Sequence, residues 1–189
     1  MFRTQPLPKQ LEIAGPAALK LFASSTTDDA DLFVTVHLFD PDGDEVLFTT
    51  AREPRAPLAQ GWLRMSHRAV DPHRSLPYRP WHPHDRVELL EPGQTYEVDV
   101  EIWPTSIIAP AGYSLGVSVR GVDYVHAPLG ERYFAHGREL LGGGPYWHER
   151  PGDRDRPAFD GTTTLVTEPD RRPYLLLPII PPSRSEGPE

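Results

Sequence analysis

Proline and glycine limit what this chain can fold into more than any other feature. The 189 residues include 23 prolines and 15 glycines, about a fifth of all positions. Proline lacks a backbone donor and costs about 3 kcal/mol inside a helix, and the longest stretch without one runs only over residues 17–40. Long helices are therefore excluded. Because aromatic residues are also frequent, at 10% of positions, the chain is predicted to fold into a domain of short strands and loops.

Length, charge and cysteine content restrict the function classes. A chain of this length is expected to form one domain that buries roughly 70% of its unfolded surface. Cysteine is absent, which excludes disulfides, thiolate zinc sites and a cysteine nucleophile, and agrees with a cytoplasmic location, which we predict. A net charge of −8 argues against a nucleic-acid partner. No apolar run approaches the roughly 20 residues of a membrane span, so we expect no membrane partner.

Alternation of apolar and polar side chains predicts the strands. It is clearest at residues 94–103 and 32–39, and a turn at residues 41–44 (PDGD) is predicted to join the latter to a hairpin strand at 45–49. The other predicted strands cover residues 17–23, 62–69, 113–120, 162–167 and 174–180. The last is almost wholly apolar and is expected to be buried on both faces. Seven or eight strands without intervening helices predict an all-β, two-sheet sandwich.

Two long irregular segments interrupt the strands, at residues 70–90 and 129–158. The first has four prolines among aromatic and histidine residues, and the second contains a glycine triplet at 142–144. Loops of this length in a compact domain are usually functional or contact surfaces. The chain ends are expected to be a linker (residues 1–10) and a tail (182–189), which leaves one domain at 11–181.

Residues 112–116 (GYSLG) match the G-x-S-x-G motif of serine hydrolases. That motif requires a sharp turn from a strand into a helix, which exposes the serine oxygen. Here an alternating strand continues to residue 120, so Ser114 is interpreted as a strand residue. An autonomous hydrolase that uses Ser114 remains an alternative.

No metal site or cofactor is predicted. His82 and His84 are separated by one residue in an extended loop and would point to opposite sides, and no third ligand is set by spacing with His67 or His73. Residues 40–45 (DPDGDE) contain carboxylates, but their glycine is fourth rather than sixth as in an EF-hand loop. The acidic residues at 88–101 select no catalytic pair.

Several blocks in order resemble the C-terminal domain of the cocaine esterase / X-Pro dipeptidyl-peptidase family of serine hydrolases. They lie at residues 15–25 (GPAALKLFASS), 61–68 (GWLRMSHR), 77–80 (PYRP), 82–85 (HPHD), 90–93 (LEPG), 101–106 (EIWPTS), 111–112 and 174–181 (YLLLPIIP). The resemblance covers essentially residues 11–181. It implies a jelly-roll, galactose-binding-like sandwich. It also implies that the catalytic serine, aspartate and histidine belong to an α/β-hydrolase domain N-terminal to this one, which the chain does not contain.

Our leading hypothesis is therefore a non-catalytic accessory domain whose partner is an α/β-hydrolase catalytic domain, in cis or in trans, and which helps to wall the substrate pocket. A homodimer through the same surface is a further expectation. A free-standing carbohydrate-binding module that uses Trp81 and Trp147 is the second alternative. The residues proposed for interdomain or ligand contact are Trp62, His67, Tyr78, Trp81, His82, His84 and Trp147.

Overall fold

A computed structural model describes residues 1–50, 55–125, 133–135, 138–140, 148 and 150–181, with the backbone alone for 133–135 and 138–140. The fold is the predicted all-β sandwich of two antiparallel sheets, and the described residues contain no α-helix. Two short 3₁₀ turns, at Met65–His67 and Pro157–Phe159, are the helical elements of this part of the chain.

The first sheet, called sheet A, has four strands: β1 (Phe2–Arg3), β3 (Asp31–Phe39), β4 (Ala59–Arg64) and β6 (Ser114–Arg120). Their spatial order is β1, β6, β3, β4. Strand β3 is central, and Phe33 lies opposite both Trp62 of β4 and Arg120 of β6. Strands β7 (Tyr133–Ala135) and β8 (Arg138–Leu140) pair antiparallel with each other, apart from both sheets.

The second sheet, called sheet B, is built around the long strand β2 (Leu11–Ser25). One edge of β2 pairs with β5 (Tyr96–Ala109). Three short strands follow one another along its other edge: β9 (Thr163–Leu165), β10 (Tyr174–Leu176) and β11 (Ile179–Ile180). Sheet B is therefore effectively three strands wide, with an interrupted third strand.

The core fills the space between the sheets. Leu32, Val34, Val36 and Leu38 of β3 face it, as the alternation predicted, together with inward residues of β2 and β5 such as Leu19 and Val100. The opposite face of β3 is buried as well, because Phe33, Thr35, His37 and Phe39 are each less than a tenth exposed. Strand β3 is consequently covered on both faces.

Strands β2 and β5 are longer than the predicted ones because both run through a proline. Gly15 pairs with Thr105 and Ala17 with Ile102, so Pro16 lies opposite two residues, Trp103 and Pro104. A bulge of this kind tolerates proline, because the pairing hydrogen bonds are already interrupted there. The positive φ of Gly15, 130°, occurs at this bulge.

The apolar segment at 174–180 departs from its prediction of burial on both faces. It forms two strands, β10 and β11, and Tyr174, Ile179 and Ile180 are 52%, 43% and 41% exposed. The prediction was wrong because the segment lies at the edge of sheet B. Its apolar composition reflects one covered face rather than two.

Two smaller expectations are also corrected. The turn at 40–44 exists, with Asp40 accepting hydrogen bonds from the Gly43 and Asp44 amides at 2.9 Å each, but residues 45–49 form isolated bridges and not a strand. Strand β4 ends at Arg64, and the Met65–His67 turn replaces the rest of the predicted strand at 62–69.

The segment predicted as an N-terminal linker contacts the sandwich. Phe2 and Arg3 pair with Val117 and Gly116 of β6, and the amide of Leu7 donates to the carbonyl of Tyr113 at 2.7 Å. The boundary of the predicted domain at residue 11 therefore excludes a short strand of sheet A. The predicted tail, 182–189, lies outside the described residues.

Candidate functional site

The candidate site is the loop at residues 68–90 together with the end of β4. Its base is fixed by Asp29, which is 3% exposed. The Asp29 carboxylate accepts from the amide and hydroxyl of Ser66 at 3.0 and 2.7 Å, and from the amide of Ala30 at 2.9 Å. A buried carboxylate with three donors is well compensated. The Met65–His67 turn is thereby held against the entrance to β3.

Arg68, at the start of the loop, anchors the end of the loop near Glu88. Its guanidinium lies 4.3 Å from the ring centre of Tyr96 and donates to the carbonyls of Met65 and Glu88. The Glu88 amide donates a hydrogen bond to the Ser66 carbonyl at 2.8 Å. The start and the end of the loop are therefore tied to the same 3₁₀ turn.

The middle of the loop is ordered by its own hydrogen bonds. Leu76 and Arg79 bond each other reciprocally at 3.0 and 2.9 Å, which closes a tight turn around Tyr78. The Trp81 amide donates to the hydroxyl of Ser75 and the Trp81 carbonyl accepts from the amide of Asp71, both at 2.9 Å. Four prolines restrict the conformation of this loop further.

Exposed apolar side chains are concentrated on this loop. The described part of the chain exposes 14 large hydrophobic side chains, of which six lie within residues 70–89: Val70, Leu76, Tyr78, Trp81, Val87 and Leu89. The Arg74 guanidinium covers the Trp81 ring at 3.9 Å from its centre, so one face of the indole is occupied by a cation. Tyr78 at 44% exposure reaches further into solvent.

Three histidines meet at the base of the loop. The rings of His67 and His84 are 5.2 Å apart between centres, and those of His82 and His84 are 6.0 Å apart. His84 has a φ of 53°, a left-handed backbone conformation that it alone adopts among the non-glycine residues described. Burial, reinforced by the charges of His67 and His82, lowers the pKa of His84.

Beside this cluster lies a cavity of about 290 Å³. Its aromatic wall contains Trp62, which packs at 5.2 Å from His148 and 5.9 Å from Trp103 between ring centres. His148 is held by the buried Asp123, whose carboxylate lies 2.9 Å from Nδ1 and 2.7 Å from the backbone amide of the same histidine. His67 and His84 line the cavity on the side of the loop.

The polar wall of the cavity is an ion-pair network around Asp31. Arg64 donates to both carboxylate oxygens of Asp31, at 2.8 and 3.1 Å, and Arg154 donates from Nε at 3.0 Å. Arg64 also reaches Asp153 at 3.1 Å. The hydrogen bond to Asp31 outweighs burial and raises the pKa of Arg64. These charges are mutually neutralised, so the network mainly joins residues 153–154 to β3 and β4.

The structure therefore assembles most of the predicted contact residues. His67, His82 and His84 form one cluster, Trp62 shares the cavity with two of them, and Tyr78 and Trp81 lie on the exposed part of the loop. Trp147 lies outside the described residues. His148 and Arg154, which line the cavity, and Asp123, which holds His148, were not predicted, because they come from parts of the chain far from the loop.

The structure contains a second polar cluster, which the sequence did not indicate. His37 lies 2.6 Å from Glu45 through Nδ1 and 2.8 Å from Ser118 through Nε2, and Tyr124 donates to Glu45 at 2.7 Å. These distances are those of a serine–histidine–acid relay. His37 is, however, fully buried and Ser118 is 4% exposed. Since β6 is paired with β3 at Ser118, a substrate carbonyl has no path to this serine.

Ser114 is equally unsuited to be a nucleophile. It lies at the start of β6, opposite Phe39, and is 3% exposed. The chain continues as a strand and does not open a helix after this residue, so the exposed elbow geometry that G-x-S-x-G requires is absent.

Within the described residues, no group of three or more histidine, aspartate or glutamate side chains is arranged to hold a metal ion. The helices in the same part of the chain include none with the length and hydropathy to span a membrane.

Comparison with known proteins agrees with this architecture. A crystal structure of a CocE/NonD family hydrolase from Staphylococcus aureus superposes with a TM-score of 0.77 at 27% identity, over 95% of this chain and 30% of that protein. An α-amino acid ester hydrolase, with a TM-score of 0.57 at 18% identity, shares the fold over 95% of this chain. Predicted serine esterases of Mycobacterium bovis and Mycobacterium tuberculosis are each 28% identical over 130 residues.

The chain corresponds to only part of these proteins. It spans 19% of the length of the two mycobacterial relatives and less than a third of the staphylococcal hydrolase. Residues 1–132 match the family model of the X-Pro dipeptidyl-peptidase C-terminal non-catalytic domain. This match covers more than half of the chain and agrees with the two-sheet sandwich, so the chain belongs to the family of X-Pro dipeptidyl-peptidase C-terminal non-catalytic domains.

Proposed function

We propose that this domain packs against the α/β-hydrolase catalytic domain of a CocE/NonD-like or X-Pro dipeptidyl-peptidase-like serine hydrolase and walls part of its substrate pocket. The contact surface in this proposal, here called the histidine–aromatic surface, consists of Trp62, His67, Tyr78, Trp81, His82 and His84. The parent reaction would be the hydrolysis of an ester or a prolyl peptide bond, with the serine, histidine and acid supplied by the catalytic domain.

The observation that supports the proposal is an ordered loop with exposed apolar side chains. Six of them lie within residues 70–89, and the backbone around Tyr78 and Trp81 is fixed by local hydrogen bonds. Aromatic and arginine side chains on a rigid support supply most of the binding free energy at protein interfaces. The cavity beside Trp62 would then open toward the catalytic domain and add an aromatic wall to its pocket.

Co-elution tests the proposal. The chain is mixed with a purified α/β-hydrolase domain encoded with it or beside it, and the mixture is passed over a size-exclusion column with light scattering. We expect a one-to-one complex that Tyr78→Ala and Trp81→Ala each weaken by about tenfold or more, the effect of removing an interface hot spot. Ile108→Ala is the matched control, since Ile108 is 56% exposed but lies on β5.

The two remaining expectations give different outcomes in the same experiment. A homodimer through the histidine–aromatic surface would appear as doubled mass of the chain alone and would be dissociated by Trp81→Ala. If the chain is instead a carbohydrate-binding module, it should be monomeric and should bind no hydrolase domain. Either outcome, without a complex with any catalytic domain tested, contradicts the docking proposal.

A further inference from the structure

The His82 ring bridges two backbone carbonyls. Its Nδ1 lies 3.1 Å from the oxygen of Ala69 and its Nε2 lies 2.9 Å from the oxygen of Asp99. Ala69 is at the start of the loop and Asp99 is in β5. One side chain in the middle of the loop thus contacts both the beginning of the loop and sheet B.

The chemistry of the two acceptors determines the protonation state that this bridge needs. A backbone carbonyl oxygen only accepts hydrogen bonds, and a neutral imidazole has a single N–H to donate. With one proton, the other ring nitrogen would turn a lone pair toward a carbonyl oxygen. Both contacts are satisfied only when both nitrogens carry protons, in the imidazolium form.

We infer that His82 is a proton-dependent latch, which as a cation fastens the 68–90 loop to β5 and on losing its proton releases one of its two anchors. The latch rests on ring geometry alone. That it regulates docking of a catalytic domain rests in addition on the proposed function, because the same loop presents Tyr78 and Trp81.

Carboxylates on β5 favour the cationic form of His82, and the neighbouring imidazoles oppose it. The outward face of β5 contributes carboxylates, and Lys20 of β2 pairs with Asp99 at 3.1 Å and also with Glu97. The His84 ring, 6.0 Å from that of His82 between centres, opposes a further positive charge, and burial together with the charges of His67 and His82 lowers the pKa of His84. The charged and titratable groups that the described contacts place beside His82 are Asp99, with its partner Lys20 and the neighbouring Glu97, and the rings of His84 and His67.

The direction of the pH effect follows. Raising the pH removes the His82 proton and opens the contact with Ala69 or Asp99. Lowering the pH far enough protonates His84, 6.0 Å away between ring centres, and introduces repulsion.

Nuclear magnetic resonance of the isolated, nitrogen-15-labelled chain tests the latch without any partner. Long-range proton–nitrogen correlations of the histidine rings are recorded over about pH 5 to 8, the range in which histidines change charge. We expect both His82 nitrogens to carry protons at the acidic end. Amide protection of Asp71 and Trp81, corrected for intrinsic exchange, should fall by about tenfold or more as that proton is lost, the effect of one charge-assisted hydrogen bond.

Two variants complete the test. His82→Gln should abolish the pH dependence of loop protection, whereas His73→Gln, at an exposed histidine of the same loop, should leave it intact. A single neutral tautomer of His82 throughout the range, or loop protection in the unsubstituted chain that does not change with pH, would overturn the inference. If His82→Gln does not fold, the spectra of the unsubstituted chain decide alone. Failure to bind a catalytic domain would leave this result unaffected.

Discussion

Gly61 of β4 lies directly against the backbone carbonyl of Glu101 in β5, so closely that a Cβ at position 61 would overlap that oxygen. This is where the edge of sheet A crosses the edge of sheet B, next to Trp62 and Trp103. The absence of a side chain at residue 61 therefore lets the two sheets meet beneath the candidate site.

Gly61→Ala should destabilise the domain, because the contact is with rigid backbone and the strands must separate. We expect the free energy of unfolding to fall by about 1–3 kcal/mol, the usual effect of overpacking a core, measured by urea titration. Gly121→Ala is the control, since a Cβ there meets no atom within 4 Å. Equal stability of the two variants would contradict the close crossing.

Asp29→Ala should release the base of the loop. Removing this carboxylate leaves the Ser66 hydroxyl and two backbone amides without their partner, and unsatisfied buried groups cost about 1–3 kcal/mol each. We expect a loss of about 2–4 kcal/mol in urea unfolding, with earlier proteolytic cleavage within residues 68–90. Asp28→Ala, at an exposed neighbouring position, should change neither measurement.

Acid should weaken the domain partly through His84. Because its folded pKa lies below the unfolded value of about 6.5, the folded state binds this proton less readily than the unfolded chain does. The stability that a neutral His84 contributes is therefore present above about pH 6.5 and is lost as the pH falls through the folded pKa. Thermal unfolding should show a smaller drop in Tm from about pH 7 to about pH 5 for His84→Gln than for the unsubstituted chain. An unchanged drop would contradict the shift, and His73→Gln serves as control.

Neither Ser114 nor Ser118 should react with a fluorophosphonate probe, because both are buried within β6. Ser118→Ala should instead act on stability, since it leaves His37 Nε2 without its hydrogen bond, at a cost of about 1–3 kcal/mol. Intact-mass spectrometry after exposure to the probe and urea titration provide the two measurements. Labelling that Ser114→Ala or Ser118→Ala abolishes would show an accessible nucleophile and refute the structural interpretation.

The sequence predicted the strands well where one pattern held throughout, as in β3, whose inward stripe is Leu32, Val34, Val36 and Leu38. It failed where tertiary position overrode composition. The apolar segment at 174–180 became a half-exposed edge, and Pro16 did not end a strand because its missing amide lies opposite a bulge. Both outcomes depend on which strand lies alongside, which a local pattern does not contain.

The candidate site was predictable in part for a similar reason. Trp62, His67, Tyr78, Trp81, His82 and His84 lie within 23 consecutive residues, so one proline-rich segment indicated them together. The Asp123–His148 pair and Arg154 join the cavity from across the sandwich. Their contribution depends on pairing between distant segments, and no spacing in the chain marks it.

Hydrogen-exchange mass spectrometry of the chain, alone and mixed with the α/β-hydrolase domain proposed as its partner, tests the central claim most directly. The account predicts that added protection is concentrated in residues 62–90. The apolar groove between β1 and β10, a cavity of about 440 Å³ lined by residues such as Phe2 and Tyr174, should exchange as it does in the free chain. Protection at that groove without change at residues 62–90, or no protection at all, would contradict the proposed docking surface.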